Sequence, residues 1–219
     1  MATSQITIDA LLRNDEKLYE GDLVHYFRVI FNFAQNLNNP YHNFRHLFHM
    51  LWLCYNACQS YADILSPREM RNLLIAALFH DFDHSGKQGN DDLNIEIAIR
   101  GLKKHLHPDD KDYFEAICDI IRPTQYPYTS ASETLPLLAQ ILRDADASQA
   151  FSTAWIQQVV FGLAKEWGMS PRQVLEMQGP FLSSLSFSTS WARNMFDSKV
   201  ITEKIAEAKA LAELLNGDK

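Results

Sequence analysis

Ser66-Pro67-Arg68-Glu69 joins a capping box to a proline at the first helical position, so a helix starts there. It runs through the apolar stretch NLLIAALF, from Asn72, and has the composition of a helix enclosed by other helices. The run then breaks into His80, Asp81, Asp83 and His84, ahead of a loop with two glycines, Gly86 and Gly89. Ionisable side chains at the end of a buried helix are costly unless they are paired or bound to a metal.

The rest of the chain also reads as helices. DLVHYFRVIFNFAQNL (from Asp22) and NFRHLFHMLWLCYNACQSYADIL (from Asn43) are dense in apolar residues at helical spacing. Pro108-Asp109-Asp110 opens a helix that Pro123 stops, and Ser170-Pro171 opens a short one that should end near Gly179-Pro180. Val200, Ile201, Ile205, Ala208 and Leu211 share one face of a closing helix expected over 191–215. No segment shows sustained period-two alternation, and no hairpin turn joins β-branched runs. The turn-rich stretch from Ile121 to Glu133 reads as a surface loop rather than a linker. The expectation is an all-α, single-domain helical bundle over 1–219, with its motif core at about 39–179.

Composition narrows the function. A chain of 219 residues buries roughly 70% of its unfolded surface and needs no staples. Three cysteines, Cys54, Cys58 and Cys118, are too few for a disulfide framework and point to a reducing compartment. Asp9 and Arg13 interrupt the place where a signal peptide would need its apolar core, and no run reaches the ~18 apolar residues of a membrane span. A cytoplasmic protein without a membrane partner is expected. The net charge of −7, with no basic stripe, argues against a nucleic-acid polymer as partner. A small phosphate-ester substrate remains compatible, because bound cations reverse the local field.

Two further polar clusters accompany the first. His42, His46 and His49 stand at i, i+4 and i+7 in NPYHNFRHLFHM, and Asp144 and Asp146 follow the apolar LPLLAQIL. Each alone has an ordinary reading, as a hydrogen-bonded core histidine or a helix cap. Together His46, His80, Asp81 and one late aspartate supply two imidazoles and two carboxylates, a set suited to zinc, iron or manganese. Inward-facing ligands from several helices are how helical bundles build such sites.

The pattern H…HD…D resembles that of the HD superfamily of metal-dependent phosphohydrolases. Tyr41-His42-Asn43-Phe44-Arg45-His46 matches Y-H-N-x-x-H, and His80 through Gly86 matches H-D-x-D-H-x-G, both signatures of the class I 3′,5′-cyclic nucleotide phosphodiesterases. Ala145-Asp146-Ala147-Ser148 resembles the family's A-D-L-S, which selects Asp146 over Asp144. Glu176-Met177-Gln178-Gly179 loosely resembles its E-F-F-x-Q-G-D. The chain departs from the pattern at His49, where the family has aspartate, and at Asn90, one residue later than the family's asparagine. It is also shorter than an animal phosphodiesterase catalytic domain.

The resemblance implies a fold of the HD/phosphodiesterase type and two divalent ions. His46, His80, Asp81 and Asp146 would hold the first, zinc or iron, and Asp81 would bridge to the second, magnesium or manganese. His42 would be the general acid for the leaving alkoxide, and His84 would orient water or substrate, fixed in turn by Glu96. Tyr41, Asn43, Thr124 and Gln178 are the candidate substrate contacts, with Gln173 an alternative to Gln178 for the family's purine-gripping glutamine. The implied activity is hydrolysis of a 3′,5′-cyclic nucleotide or similar small phosphodiester. The alternatives are an HD-type nucleotide or phosphomonoester phosphohydrolase, a di-iron HD oxygenase drawing on His105 and His107, and a non-catalytic HD module.

Overall fold

A computed structural model describes residues 6–89, 91–128 and 134–215. Eleven α-helices and no strand occur among them: α1 (Ile8–Arg13), α2 (Val24–Phe33), α3 (Phe44–Ser60), α4 (Pro67–Phe79), α5 (Asp91–His105), α6 (Phe114–Ile121), α7 (Leu137–Ala147), α8 (Gly162–Trp167), α9 (Pro171–Ser184), α10 (Ser190–Met195) and α11 (Ser198–Leu214). The all-α expectation holds.

The buried helix is α4. Ser66 and Glu69 form the capping box at its start, and every residue from Met70 to Phe79 is buried. Helices α2, α3, α5, α6 and α7 all pack against it. This enclosure follows from the apolar run, since a helix with no solvated face is stable only when covered on all sides. Two polar side chains, Arg71 and Asn72, are buried in it, and Arg71 forks onto Asp110 through two hydrogen bonds of 2.8 Å. Arg68 and the Tyr26 hydroxyl (2.6 Å) join the same carboxylate. Burial pushes the Asp110 carboxyl up, but these donors outweigh it and hold the group at about 2. Asp110 therefore does more than open a helix: Pro108–Tyr113 is a tight 3-10 turn that delivers it to α4, and α6 follows.

A second, smaller apolar cluster joins Trp155, Val159, Val160, Leu163 and Ala164 to Val174 and Leu175 of α9 and Ala208 and Ala212 of α11. Two expectations are corrected at this C-terminal end. Helix α9 does not stop at Gly179-Pro180 but continues to Ser184 with Pro180 inside it. Buried Val174, Leu175 and Leu182 lie on both sides of the proline, so tertiary burial outweighs the lost helical bond. The closing helix is two helices, because Asp197 accepts from the Lys199 and Val200 amides and starts α11 afresh. The loop expected over 121–133 lies partly outside the described residues.

Asp110 has a lowered folded-state pKa, so the stability it contributes is present above about pH 4 and is lost as pH falls toward 2. Asp110→Asn should cost about 3–5 kcal/mol at pH 7, because it leaves Arg71 buried without its partner. Denaturant unfolding at pH 7 and pH 3 should show the deficit shrinking at the lower pH.

Candidate metal centre and the histidine beside it

The first half of the site is assembled around one asparagine. Asn36 is buried in the connection between α2 and α3, and its amide donates to the His42 carbonyl (2.9 Å) and the Asp81 carbonyl (2.8 Å). Its oxygen accepts from the Asp83 amide at 3.1 Å. The two motifs, gripped at His42 and at Asp81, are thus held by one side chain. Asp83 sits in the left-handed region (φ 59°) and accepts from the Gln35 amide at 2.7 Å, closing the same bracket. Phe82 between them packs so tightly on α5 that a Cβ at Gly101 would lie 2.3 Å from its ring.

His80 caps the C-terminal end of α4 and His46 comes from the first turn of α3. The His80 Nδ1–H donates to the Ala77 carbonyl (2.9 Å), which leaves the Nε2 lone pair facing inward. There His46 Nε2, His80 Nε2 and Asp81 Oδ2 converge, at 3.1 Å between the nitrogens and 2.9 and 3.3 Å from each nitrogen to the oxygen. Asp146 Oδ1 lies 3.4 Å from His46 Nε2. Two ligands at about 2.1 Å from one ion and 90–109° apart are separated by about 3.0–3.4 Å, so these spacings fit a shared cation. Burial opposes ionisation of Asp81, but the flanking imidazoles reverse that and hold it as a carboxylate. Asp144 faces elsewhere: its carboxylate accepts from the Ser188 and Thr189 amides and the Thr189 hydroxyl, which ties the segment before α10 to α7.

A second cluster of His42, His84 and Glu166 lies beside the first. The His42 ring stacks on His84 at 3.6 Å and stands 5.9 Å from the His46 ring. His42 Nδ1 is hydrogen-bonded to Glu166, whose other oxygen accepts from the Tyr41 amide (2.8 Å) and the His42 amide (3.2 Å). Burial lowers the His42 pKa, and the Glu166 hydrogen bond opposes that. Two glycines make room for this carboxylate. A Cβ at Gly162 would lie 2.8 Å from the Pro40 carbonyl, and one at Gly86 (φ +70°) would lie 3.1 Å from the Glu166 side chain.

Several sequence expectations are corrected. Glu96 does not fix His84; it is exposed on α5 and lies 3.8 Å from Arg100. His84 instead accepts from the Gly86 amide (3.0 Å), and its Nε2 lies 2.8 Å from the Asn94 amide nitrogen and 3.9 Å from Asp91. Asn94 and Glu96 are two residues apart and so point to opposite sides of one helix. Glu176, the matched acid of the later stretch, is half-exposed and paired with Arg172; the acid at His42 is Glu166 in α8. No local motif marks Glu166, and the one signal near it is Gly162, a helix turn earlier.

Of the candidate substrate contacts, Asn43 caps α3, accepting from the Arg45 and His46 amides and donating to the Asn39 and Pro40 carbonyls. The Thr124 hydroxyl donates to Ile121. Gln173 closes the α9 capping box, whereas Gln178 is buried with no partner for its amide oxygen among the described residues. The Tyr41 ring is beside both His42 and His46. His105 stacks on Phe33, and His107 caps the turn at Pro108, so both are engaged away from these clusters. Asn90 lies outside the described residues.

Removing the bracket should be costly. Asn36→Ala deletes three buried hydrogen bonds, and a loss of about 2–3 kcal/mol is expected. Thermal unfolding should move down by about 5–10 °C.

Residues 41–99, which span Tyr41 to Ile99 and hold both histidine motifs, match the family described as 3′,5′-cyclic nucleotide phosphodiesterase. Over 72 residues the chain is 38% identical to the high affinity cGMP-specific 3′,5′-cyclic phosphodiesterase 9A of Homo sapiens, and equally so to that of Pan troglodytes. The Mus musculus protein is 36% identical over the same length. The matched stretch covers 29% of this chain and only 11–12% of these relatives. The likeness to the 3′,5′-cyclic nucleotide phosphodiesterases therefore lies between residues 41 and 99, the stretch that holds both histidine motifs.

Proposed function

We propose that the protein is a metal-dependent phosphodiesterase that opens a 3′,5′-cyclic nucleotide or a similar small phosphodiester. The observation that carries this reading is the adjacency of the two clusters: a four-residue ligand set next to a histidine backed by a carboxylate. Guanosine 3′,5′-cyclic phosphate is the first substrate to test, because the matched relatives are described as specific for it.

His46, His80, Asp81 and Asp146 would hold the first divalent ion, zinc or iron, with Asp81 shared by a second, magnesium or manganese. Bound there, such ions supply charge neutralisation at the phosphoryl oxygens and a water acidic enough to attack near neutral pH. The chain's own residues supply the proton. Glu166 holds the Nδ1 side of His42, which leaves Nε2 to protonate the departing ribose oxygen. Stacking on His84 and the backbone contacts to Glu166 restrict the ring to one orientation, so little ordering remains to be done at the moment of transfer. The oxygenase alternative loses support, since its extra histidines are engaged elsewhere.

The test is product chromatography after incubating the purified protein with manganese. The panel is 3′,5′-cyclic GMP and AMP, an aryl phosphodiester, and nucleoside mono- and triphosphates. The expected result is ring opening of a cyclic nucleotide that Asp81→Ala abolishes together with bound metal. Phosphate release from monoesters alone would move the protein to the phosphomonoesterase class, and absence of both metal and turnover would remove the catalytic reading.

His42→Ala should lower kcat by about 10²–10⁴-fold with metal content unchanged. Glu166→Gln, which keeps the shape but loses the charge, should lower kcat by about ten- to a hundredfold with little change in KM, as measured in steady-state kinetics.

A further inference from the structure

A groove of about 420 Å³ lies between segment 37–45 and the helical turn leading into α8. That volume is within the roughly 300–1,000 Å³ of small-molecule sites. Arg45 and Lys165 line it, with Asn38, Gln157, Gln158 and Phe161, and no acidic residue does so among the described residues. Neither cation makes an ion pair among the described residues. Arg13, Arg68, Arg71, Arg122 and Arg172, by contrast, all pair with carboxylates. Arg28 and several lysines also make no ion pair among the described residues, but Arg45 and Lys165 share one concave surface, where two like charges attract an anion. Phe161 is 56% exposed, a large apolar ring left in water beside the side-chain amides of Asn38, Gln157 and Gln158.

We propose that this groove binds a nucleoside 5′-monophosphate, with the phosphate on Arg45 and Lys165 and the base on Phe161. The two cations match the charge of a phosphate monoester near neutral pH, about −1.5 to −2, better than the single charge of a cyclic diester. The exposed ring supplies a stacking face, and the amides of Asn38, Gln157 and Gln158 offer donors and acceptors to a base edge. A polynucleotide does not fit, because two cations on a chain this acidic cannot neutralise a phosphate backbone.

The groove also touches the catalytic machinery. Its floor includes Pro40 and Gly162, whose close approach seats α8 against segment 37–45, and Glu166 follows one helical turn later. An occupant braced on Phe161 and Arg45 bears on the contact that holds Glu166 to His42. A nucleoside monophosphate is what ring opening would release, so the groove would sense product. That role rests on the proposed activity; binding itself does not.

The experiment uses the full chain carrying Asp81→Ala in the presence of a chelator, so that no metal can recruit the probe to the catalytic clusters. A ribose-labelled fluorescent 5′-GMP is titrated and read by anisotropy. The expected result is saturable binding that Arg45→Glu with Lys165→Glu weakens at least about tenfold, and Phe161→Ala by a similar factor. Unlabelled 5′-GMP should displace the probe at lower concentration than inorganic phosphate. Should the glutamate pair disturb folding in a thermal melt, Arg45→Gln with Lys165→Gln serves instead. Unchanged binding in the charge variants or in Phe161→Ala, or none at millimolar nucleotide, overturns the proposal. It would leave the phosphodiesterase reading intact if cyclic nucleotide turnover is present.

Discussion

The site depends on the hydrogen bonds of one buried amide. Asn36 grips the carbonyls of His42 and Asp81 and the amide of Asp83, and so sets the distance between the helix that brings His46 and the helix that brings His80. Each of those groups is a backbone atom, so the register of the two motifs is fixed before any ligand side chain chooses a rotamer. The convergence of His46, His80 and Asp81 within 2.9–3.3 Å is the result. A cluster this tight would repel itself without a proton or a cation among its lone pairs, and the enclosing α4 and α3 prevent it from relaxing outward.

Much of this was legible in the sequence because it is local. The capping box at Ser66, the apolar run after it and the abrupt turn to H-D-F-D-H describe α4 and its polar end without reference to anything else. The spacing of His42 and His46 across the start of α3 is likewise local, and Asn43 between them proves to be the cap of that helix. Asp146 over Asp144 was read from a motif; in the structure Asp144 spends its oxygens on Ser188 and Thr189.

What the sequence hid is what arrives from far away. Glu166 reaches His42 across 124 residues, with no local motif to mark it and only Gly162 nearby as a sign of close packing. Glu96 looked apt because it is close in sequence to His84, yet helical geometry turns it outward and gives the place to Asn94. The persistence of α9 through Pro180 and the break at Asp197 were hidden for a related reason: both follow from packing in the smaller apolar cluster or from a cap, and neither leaves a periodic trace.

The residues proposed to hold metal and the carboxylate behind His42 are anchored in different apolar clusters. His46 and His80 belong to helices of the larger one, whereas Glu166 is carried by α8, whose Leu163 and Ala164 belong to the smaller. The two anchor points answer to different strains. Heat, a protease or a crowded substitution in α9 or α11 can unseat Glu166 while leaving every ligand in place. Under the proposed function, a preparation in that state would carry its full complement of metal and turn nothing over, so metal content alone would be a poor gauge of competence.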